Sequence, residues 1–125
     1  MPGPAERRTI RTGSRWEPLV GYARAVRVGN SVAVSGTVGD GEDAYQQTRS
    51  AIATIARALG EAGAALSDVV RTRIFVTDIE RDWEQVARAH REAFADVEPA
   101  CSMVEISRLI APEFVVEIEA DALTP

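Results

Sequence analysis

The sequence predicts an α+β fold in which two helices cover one face of a six-stranded sheet. Two stretches repeat apolar residues with the roughly 3.6-residue period of a helix, and other stretches alternate with the two-residue period of a strand. Near the start, the pair Gly29-Asn30 splits two alternating runs, which is typical of a β-hairpin. The predicted order is β-β-β-α-β-α-β-β, in one domain over residues 1–125.

The first half of the chain predicts a strand, a hairpin and a helix. The strand is RRTIRTG, and the loop SRWEPLVG separates it from the hairpin YARAVRVGNSVAVSG. After a turn-rich loop, Asp43 is placed to cap a helix over residues 43–62. Gly60 and Gly63 are plausible stop signals for that helix.

The second half predicts one strand, a helix and two further strands. The stretch DVVRTRIFVTD alternates with period two, and a helix over residues 81–94 follows it. The last strands are CSMVEISRL and FVVEIEADAL. Because the helices need an apolar face to pack on, one set of alternating residues should lie beneath them: Val104, Ile106, Val116 and Ile118.

The opposite face of the sheet is predicted to be charged. It would carry Cys101 and Met103, together with acids and two arginines of the middle strand: Glu105, Glu117, Glu119, Arg71 and Arg73. Such a face is either solvated, as is normal in antiparallel sheets, or an oligomer interface in which acids and arginines pair across subunits. The residues alone leave both interpretations open.

Composition excludes several classes of protein. All 14 basic residues are arginine, so no lysine Schiff base can form, and one histidine with one cysteine cannot make a Cys/His zinc site within a subunit. We expect no metal and no other cofactor. The net charge of −5 disfavours a nucleic-acid partner. No apolar run reaches membrane-spanning length, and a lone cysteine forms no internal disulfide, so we expect no membrane partner and a cytoplasmic location.

Three stretches resemble the RidA/YjgF family of small trimeric proteins. They are GYARAVRVGNSVAVSGT, CSMVEISRL and VEIEADA, and the last two match the family's Ser-x-Val-Glu and Val/Ile-Glu-Ile-Glu-Ala strands. The resemblance covers nearly the whole chain. It implies a chorismate-mutase-like homotrimer whose sheets face inward around a three-fold axis, with the helices outside. The charged face would then be the trimer core, and small-molecule clefts would lie at the subunit boundaries.

The resemblance also implies an activity, the hydrolysis of reactive enamines and imines to ketones and ammonia. Water must attack an iminium carbon while an acceptor takes its proton, and positioning that water lowers the barrier. On the family pattern the tyrosine falls on Tyr22, the Ser-Gly pair on Ser35 and Gly36, and the water-positioning glutamate on Glu117. We therefore expect Tyr22, Ser35 and Glu117 to be catalytic and Gly36 to bind ligand.

Two positions depart from the family pattern. Cys101 replaces the arginine that grips the substrate carboxylate, and Ala87 replaces an asparagine of the second helix. A lost charged hydrogen bond costs about 1.5–3 kcal/mol in binding, so we expect carboxylate-bearing imines to bind about ten- to a hundredfold more weakly and to react at the rate that water positioning alone supports. Arg15 and Arg24 are cations that could reach the cleft, whereas strand alternation directs Arg108 away from Cys101.

Cys101 and Trp16 are predicted to line the ligand cleft, but each has a rival interpretation. Cys101 is also consistent with a small buried filler, or with a nucleophile if a base lies nearby. The one histidine, His90, lies on an apolar helix stripe, where packing is the commoner role. Trp16 either forms a cleft wall or caps the core.

Two functions of different classes follow. The first is a RidA-like hydrolase of enamines and imines. The alternative is a non-catalytic trimeric protein that binds a small molecule or assists another enzyme, which the loss of the gripping arginine favours. A ribonuclease or translation inhibitor is disfavoured by the net charge of −5.

Overall fold

Six strands and three helices form the part of the chain that the structure, a computed structural model, describes: residues 6–125. The strands are β1 (Arg7–Ile10), β2 (Ala25–Val28), β3 (Ser31–Thr37), β4 (Val69–Val76), β5 (Ala100–Glu105) and β6 (Val116–Leu123). The helices are α1 (Trp16–Val20), α2 (Ala44–Glu61) and α3 (Ile79–Phe94), with a 3-10 turn at Leu66–Asp68. The strand order in the sheet is β1-β2-β3-β6-β4-β5. All neighbours are antiparallel except β4 and β5, which α3 connects as a parallel pair.

The two long helices begin where aspartates cap them. Asp43 accepts a hydrogen bond from the backbone N–H of Gln46, so α2 agrees with the prediction to within one residue at each end. Asp78 likewise accepts a hydrogen bond from the N–H of Arg81. Helix α3 therefore begins at Ile79, two residues before the predicted start at residue 81. The periodicity located both helices, and the caps fixed where they start.

The stretch predicted as the loop SRWEPLVG contains the short helix α1. Pro18 stands in its first turn, where a missing N–H costs no helical hydrogen bond. Gly21 ends it in the left-handed conformation, with φ of 88°, and donates its N–H to the carbonyl of Glu17. Five residues are too few to produce a helical period in the sequence, which is why the prediction missed this helix.

The core lies between the sheet and the two long helices. We call the sheet face under α2 and α3 the helix side and the opposite face the open side. Fully buried aliphatic residues of the central strands pack there against apolar residues of both helices: Val32, Ile74, Val76, Val116, Ile118, Ile55, Leu59, Val86 and Phe94. Burying each such side chain contributes about 1.5–3 kcal/mol. This layer fixes the sheet on which the candidate site stands.

The prediction of which β5 residues lie beneath the helices is wrong. Its parallel register pairs Cys101 with Thr72, Met103 with Ile74 and Val104 with Phe75. Ile74 is buried beneath the helices and Met103 packs against the core, whereas Val104 is 45% exposed. The helix side of β5 therefore carries Cys101, Met103 and Glu105, and the open side carries Ser102 and Val104.

The error has a physical cause. β5 is an edge strand of the sheet, and its residues are mostly exposed on both sides. Alternation shows which residues share a face, but burial must select the face, and β5 has little burial to do so. Ile106 follows the strand, with its N–H bonded to the carbonyl of Val76.

The charge predicted for the open side is confirmed on β4 and β6. In the strand register, Arg71 lies opposite Asp121, Arg73 opposite Glu119, and Phe75 opposite Glu117. Arg73 Nη1 lies 3.2 Å from Glu119 Oε1 and 3.1 Å from Asp121 Oδ2. These ion pairs form within one sheet. No helix among residues 6–125 combines the length and the apolarity needed to cross a membrane.

Candidate functional site

Four predicted residues come together where β2 begins, β3 bends and β6 begins. Val34 pairs with Ala120 but Thr37 pairs with Ile118, so β3 contains one extra residue against β6. Inside this bulge, Ser35 donates its hydroxyl to the carbonyl of Ala23 at 2.6 Å. The bulge brings Ser35 and Gly36 beside Tyr22 and Glu117.

Gly36 and Glu117 are in direct contact. A Cβ atom at position 36 would lie 2.8 Å from Cδ of Glu117 and 2.9 Å from its Oε2. The carboxylate of Glu117 thus rests against the backbone of Gly36, in space that any other residue would occupy. A side chain at this position would displace that carboxylate.

Arg24 is the centre of the site. Its buried guanidinium donates from Nη1 to the carbonyl of Gly36 at 2.6 Å and to Oγ1 of Thr37 at 3.0 Å. From Nη2 it donates to the hydroxyl of Tyr22 at 3.1 Å. One guanidinium therefore fixes the tyrosine and the glycine together. Sequence reasoning placed Arg24 only among cations that could reach the cleft, because strand alternation does not reveal a buried arginine.

Helix α1 supplies a buried acid for this arginine. Glu17 Oε2 lies 3.7 Å from Arg24 Nη2, and both side chains are less than a tenth exposed. The carboxylate also accepts hydrogen bonds from Thr12, from its N–H at 3.1 Å and from its hydroxyl at 2.5 Å. A buried charge needs such partners. Glu17 was not predicted, since it lies in a stretch read as a loop.

The carboxyl of Glu117 is held in a partly dry environment. Burial raises the pKa of Glu117 above its ordinary value of 4.5, the negative charge of Glu119 raises it further, and Arg24 opposes both. A carboxyl group with a raised pKa exchanges protons closer to neutral pH than an exposed one, which suits a general acid or base. This is the group that the resemblance predicts to position water.

Tyr22 and Ser35 line a cavity of about 920 Å³. Its other walls come from β1, the loop that follows it and α1, including Arg7, Arg11 and Arg15. Gly36 and Glu117 adjoin Ser35 and Tyr22 rather than forming walls of this cavity. The carboxylate of Glu117 therefore lies against Gly36, next to Ser35, and Ser35 lines the large open cavity.

Trp16 and Cys101 lie outside this cluster within the single chain. Trp16 is half-buried at the start of α1, and the guanidinium carbon of Arg15 stands 4.1 Å from its ring centroid. Cys101 is exposed on the helix side of the edge strand β5, whereas Glu117 lies on the open side of β6. The interpretation of Cys101 as a buried filler is not met in the single chain.

His90 packs beside the register partner of Cys101. Its Nε2 lies 2.9 Å from Oγ1 of Thr72, and its ring stacks on Phe94 with centroids 4.7 Å apart. Burial lowers the pKa of His90. These contacts agree with a packing role for the histidine, and a nucleophilic role for Cys101 stays a prediction.

A six-stranded sheet with two covering helices is the fold of known YjgF-family structures. The chain belongs to the endoribonuclease L-PSP family, whose model matches residues 12–124. The predicted resemblance to RidA/YjgF proteins is thereby confirmed.

Three known proteins are similar to this chain in sequence or in structure. Rv2704 of Mycobacterium tuberculosis, a member of the YjgF/YER057c/UK114 family, is 54% identical and superposes with a TM-score of 0.93, covering 95% of this chain and 100% of its own. The 3-aminoacrylate deaminase RutC of Acinetobacter baylyi is 33% identical over 84% of this chain and 88% of its own. The 2-iminobutanoate/2-iminopropanoate deaminase of Dermatophagoides farinae is 28% identical over 82% of this chain and 86% of its own. The predicted fold class is confirmed, and the family includes deaminases of enamines and imines.

Proposed function

We propose that this protein hydrolyses small enamines or imines and releases ammonia. The observation that carries the proposal is the meeting of Tyr22, Ser35, Gly36 and Glu117 around the buried guanidinium of Arg24. Relatives with deaminase activity support the reaction class. Tyr22, Ser35 and Glu117 are the proposed catalytic residues, and Gly36 is proposed to bind ligand through its backbone.

The chemistry follows from one carboxylate and one water. An enamine first takes a proton on carbon from the carboxylic acid form of Glu117 and becomes an iminium ion, which leaves Glu117 as a carboxylate. Water then forms a C–O bond to the iminium carbon, the C=N π electrons move to nitrogen, and the carboxylate of Glu117 takes the water's proton. The resulting amine takes a proton from Glu117, the C–N bond breaks, ammonia leaves, and the ketone forms as the hydroxyl proton returns to Glu117. Tyr22, held by Arg24, is placed to orient the water or the nitrogen.

The proposal includes a homotrimer with clefts at the subunit boundaries. Apolar side chains remain nearly half exposed on the open side of the sheet, among them Val28, Val104 and Leu123. A sheet face that is both apolar and charged, and that neither α2 nor α3 covers, is suited to the heterologous interfaces that close three subunits into a ring. Cys101 and Trp16 are proposed to bind ligand in the assembled cleft, where a neighbouring subunit can bring an edge strand to the Glu117 site.

The test is ammonia release from imino acids made in place by a pyridoxal-phosphate dehydratase acting on serine or threonine. The wild-type protein should accelerate release, and Glu117→Gln should lose about 10²- to 10⁴-fold of that acceleration. Glu113→Gln, an exposed acid outside the cluster, is the matched control and should behave as wild type. Equal rates for Glu117→Gln and wild type would contradict the role of Glu117, and a wild type without acceleration would contradict the reaction.

One observation favours a second candidate function. Because Cys101 stands where the family's gripping arginine is expected, the protein is alternatively a binding or accessory protein without turnover of its own. A 2-oxo acid that raises the unfolding temperature, in a protein that releases no ammonia, would support this alternative. The predicted cytoplasmic location and the predicted lack of a nucleic-acid partner stay proposals, supported by the single cysteine and the net charge of −5.

A further inference from the structure

The cavity beside Tyr22 and Ser35 carries three arginines that make no ion pair. Arg7, Arg11 and Arg15 all line it. Within residues 6–125, no carboxylate oxygen lies within 4.0 Å of their guanidinium groups, since the ion pairs of that part of the chain involve other arginines. Arg15 stacks on the ring of Trp16, which orients its guanidinium. Among the described residues of one chain, three cations in one cavity therefore have no acidic partner.

The one acid in the cavity wall does not neutralise them. Glu17 is buried and is already occupied by Thr12 and Arg24. The cavity is therefore electropositive, although the chain as a whole carries a net charge of −5. A concave site whose charge is opposite to that of the rest of the surface attracts and concentrates anions.

The size of the cavity sets the kind of anion. A volume of about 920 Å³ is near the upper end of small-molecule sites, which span roughly 300–1,000 Å³. An imine of three or four carbons would fill a small part of it. Guanidinium groups bind carboxylates through two parallel hydrogen bonds, which is the contact that position 101 does not supply.

We propose that this cavity binds a carboxylate carried at the far end of the substrate, so that the enzyme selects imines or enamines of dicarboxylic character. The inference rests on the proposed function for the reaction at Glu117, but the binding site itself does not. Arg7, Arg11 and Arg15 grip the distal carboxylate, while the reacting carbon lies toward Tyr22 and Ser35. The cations that fix the substrate come from β1 and the loop after it instead of from β5.

The experiment compares the binding of two unreactive acids, 2-oxoglutarate and 2-oxobutanoate, by calorimetry at low salt. 2-Oxoglutarate should bind about tenfold to a hundredfold more tightly, and added salt should weaken it more. Arg7→Gln, Arg11→Gln and Arg15→Gln should each weaken 2-oxoglutarate binding by about fivefold or more and change 2-oxobutanoate binding less than twofold. Arg57→Gln removes an exposed arginine of α2 whose one side-chain hydrogen bond within residues 6–125 is to Thr54, and it controls for net charge.

Equal affinities for the two acids, or arginine variants that match Arg57→Gln, would overturn the inference. Circular dichroism of each variant checks whether these surface changes leave the fold intact. Binding is measured without turnover, so the two proposals fail separately. A protein that binds 2-oxoglutarate through these arginines but releases no ammonia would support the cavity assignment and contradict the proposed reaction. A protein that releases ammonia, but whose affinity for 2-oxoglutarate the arginine variants leave unchanged, would support the proposed reaction and contradict the cavity assignment.

Discussion

Arg24 shows how one buried side chain can organise a site. It joins Tyr22, Gly36 and Thr37 by hydrogen bonds and pairs with Glu17, yet its Nε has no partner among the described residues. A buried ion pair adds little net stability, because desolvation offsets the attraction between the charges. Its role here is positional, since it fixes the tyrosine hydroxyl relative to β3, whose Gly36 lies against Glu117.

Glu117 should make the stability of the protein depend on pH in an unusual direction. Burial raises its pKa in the folded chain above the ordinary value of 4.5, so the folded state holds the proton more tightly than the unfolded state. The stabilisation is present below pH 4.5 and is lost as the pH rises through the raised folded pKa. Glu117→Gln, which stays neutral, should therefore unfold at a higher temperature than wild type at pH 7, and the difference should shrink at pH 4.

Thermal unfolding of both proteins between pH 4 and pH 8 checks this expectation. Glu113→Gln is again the control, because this exposed side chain should give curves that follow wild type. A variant less stable than wild type at pH 7 would show that the attraction between Arg24 and the carboxylate outweighs its burial.

Position 101 tests whether the family's carboxylate grip can be restored. Cys101→Arg places a guanidinium where the resemblance expects one, on an exposed strand that tolerates the larger side chain. We expect KM for 2-iminobutanoate to fall about tenfold or more, the worth of one charged hydrogen bond. Cys101→Ser controls for loss of the thiol and should leave KM unchanged. An unchanged KM in Cys101→Arg would mean that the strand does not reach the cleft.

At the scale of elements, the bulge in β3 is the feature that connects fold and site. Without the extra residue, Ser35 and Gly36 would continue the regular ladder with β6. Gly36→Ala tests this link, because its new Cβ would collide with the flexible end of Glu117 rather than with backbone. We expect the free energy of unfolding to change by less than about 1 kcal/mol, while kcat/KM falls about a hundredfold.

The measurement is urea unfolding together with ammonia release. Gly60→Ala is the matched control, since nothing lies within 4 Å of its added Cβ and alanine favours the helix by about 1 kcal/mol. That variant should be more stable than wild type and equally active. Full activity in Gly36→Ala would contradict the contact between Gly36 and Glu117 as a requirement for catalysis.

At the scale of the whole molecule, the proposed homotrimer would place the open side of the sheet at the subunit interfaces. If three sheets face each other, sedimentation equilibrium should give three times the mass of the chain. Val104→Glu puts a charge on the exposed open side of β5 and should shift the protein toward monomers. Ala53→Glu, on the outer surface of α2, should leave the trimer intact. A wild-type mass of one chain would contradict the homotrimer.

The sequence alone determined the helices α2 and α3, the hairpin of β2 and β3, and the faces of β4 and β6. Apolar residues repeat at regular intervals along these elements, because each element buries one of its faces. The family followed from motifs that are contiguous along the chain. Tyr22, Ser35, Gly36 and Glu117 could be chosen because the family pattern marks each of them individually.

Only the tertiary structure decided the features that the repeat of apolar residues along the sequence does not predict. The face of β5 depends on its parallel edge position, and the burial of Arg24 depends on Glu17 from a helix too short to have a period. The contact between Gly36 and Glu117 joins residues 81 positions apart through a bulge in the ladder. Such features depend on contacts between residues that are far apart in the sequence. The repeat of apolar residues along one element shows only which of its residues share a face.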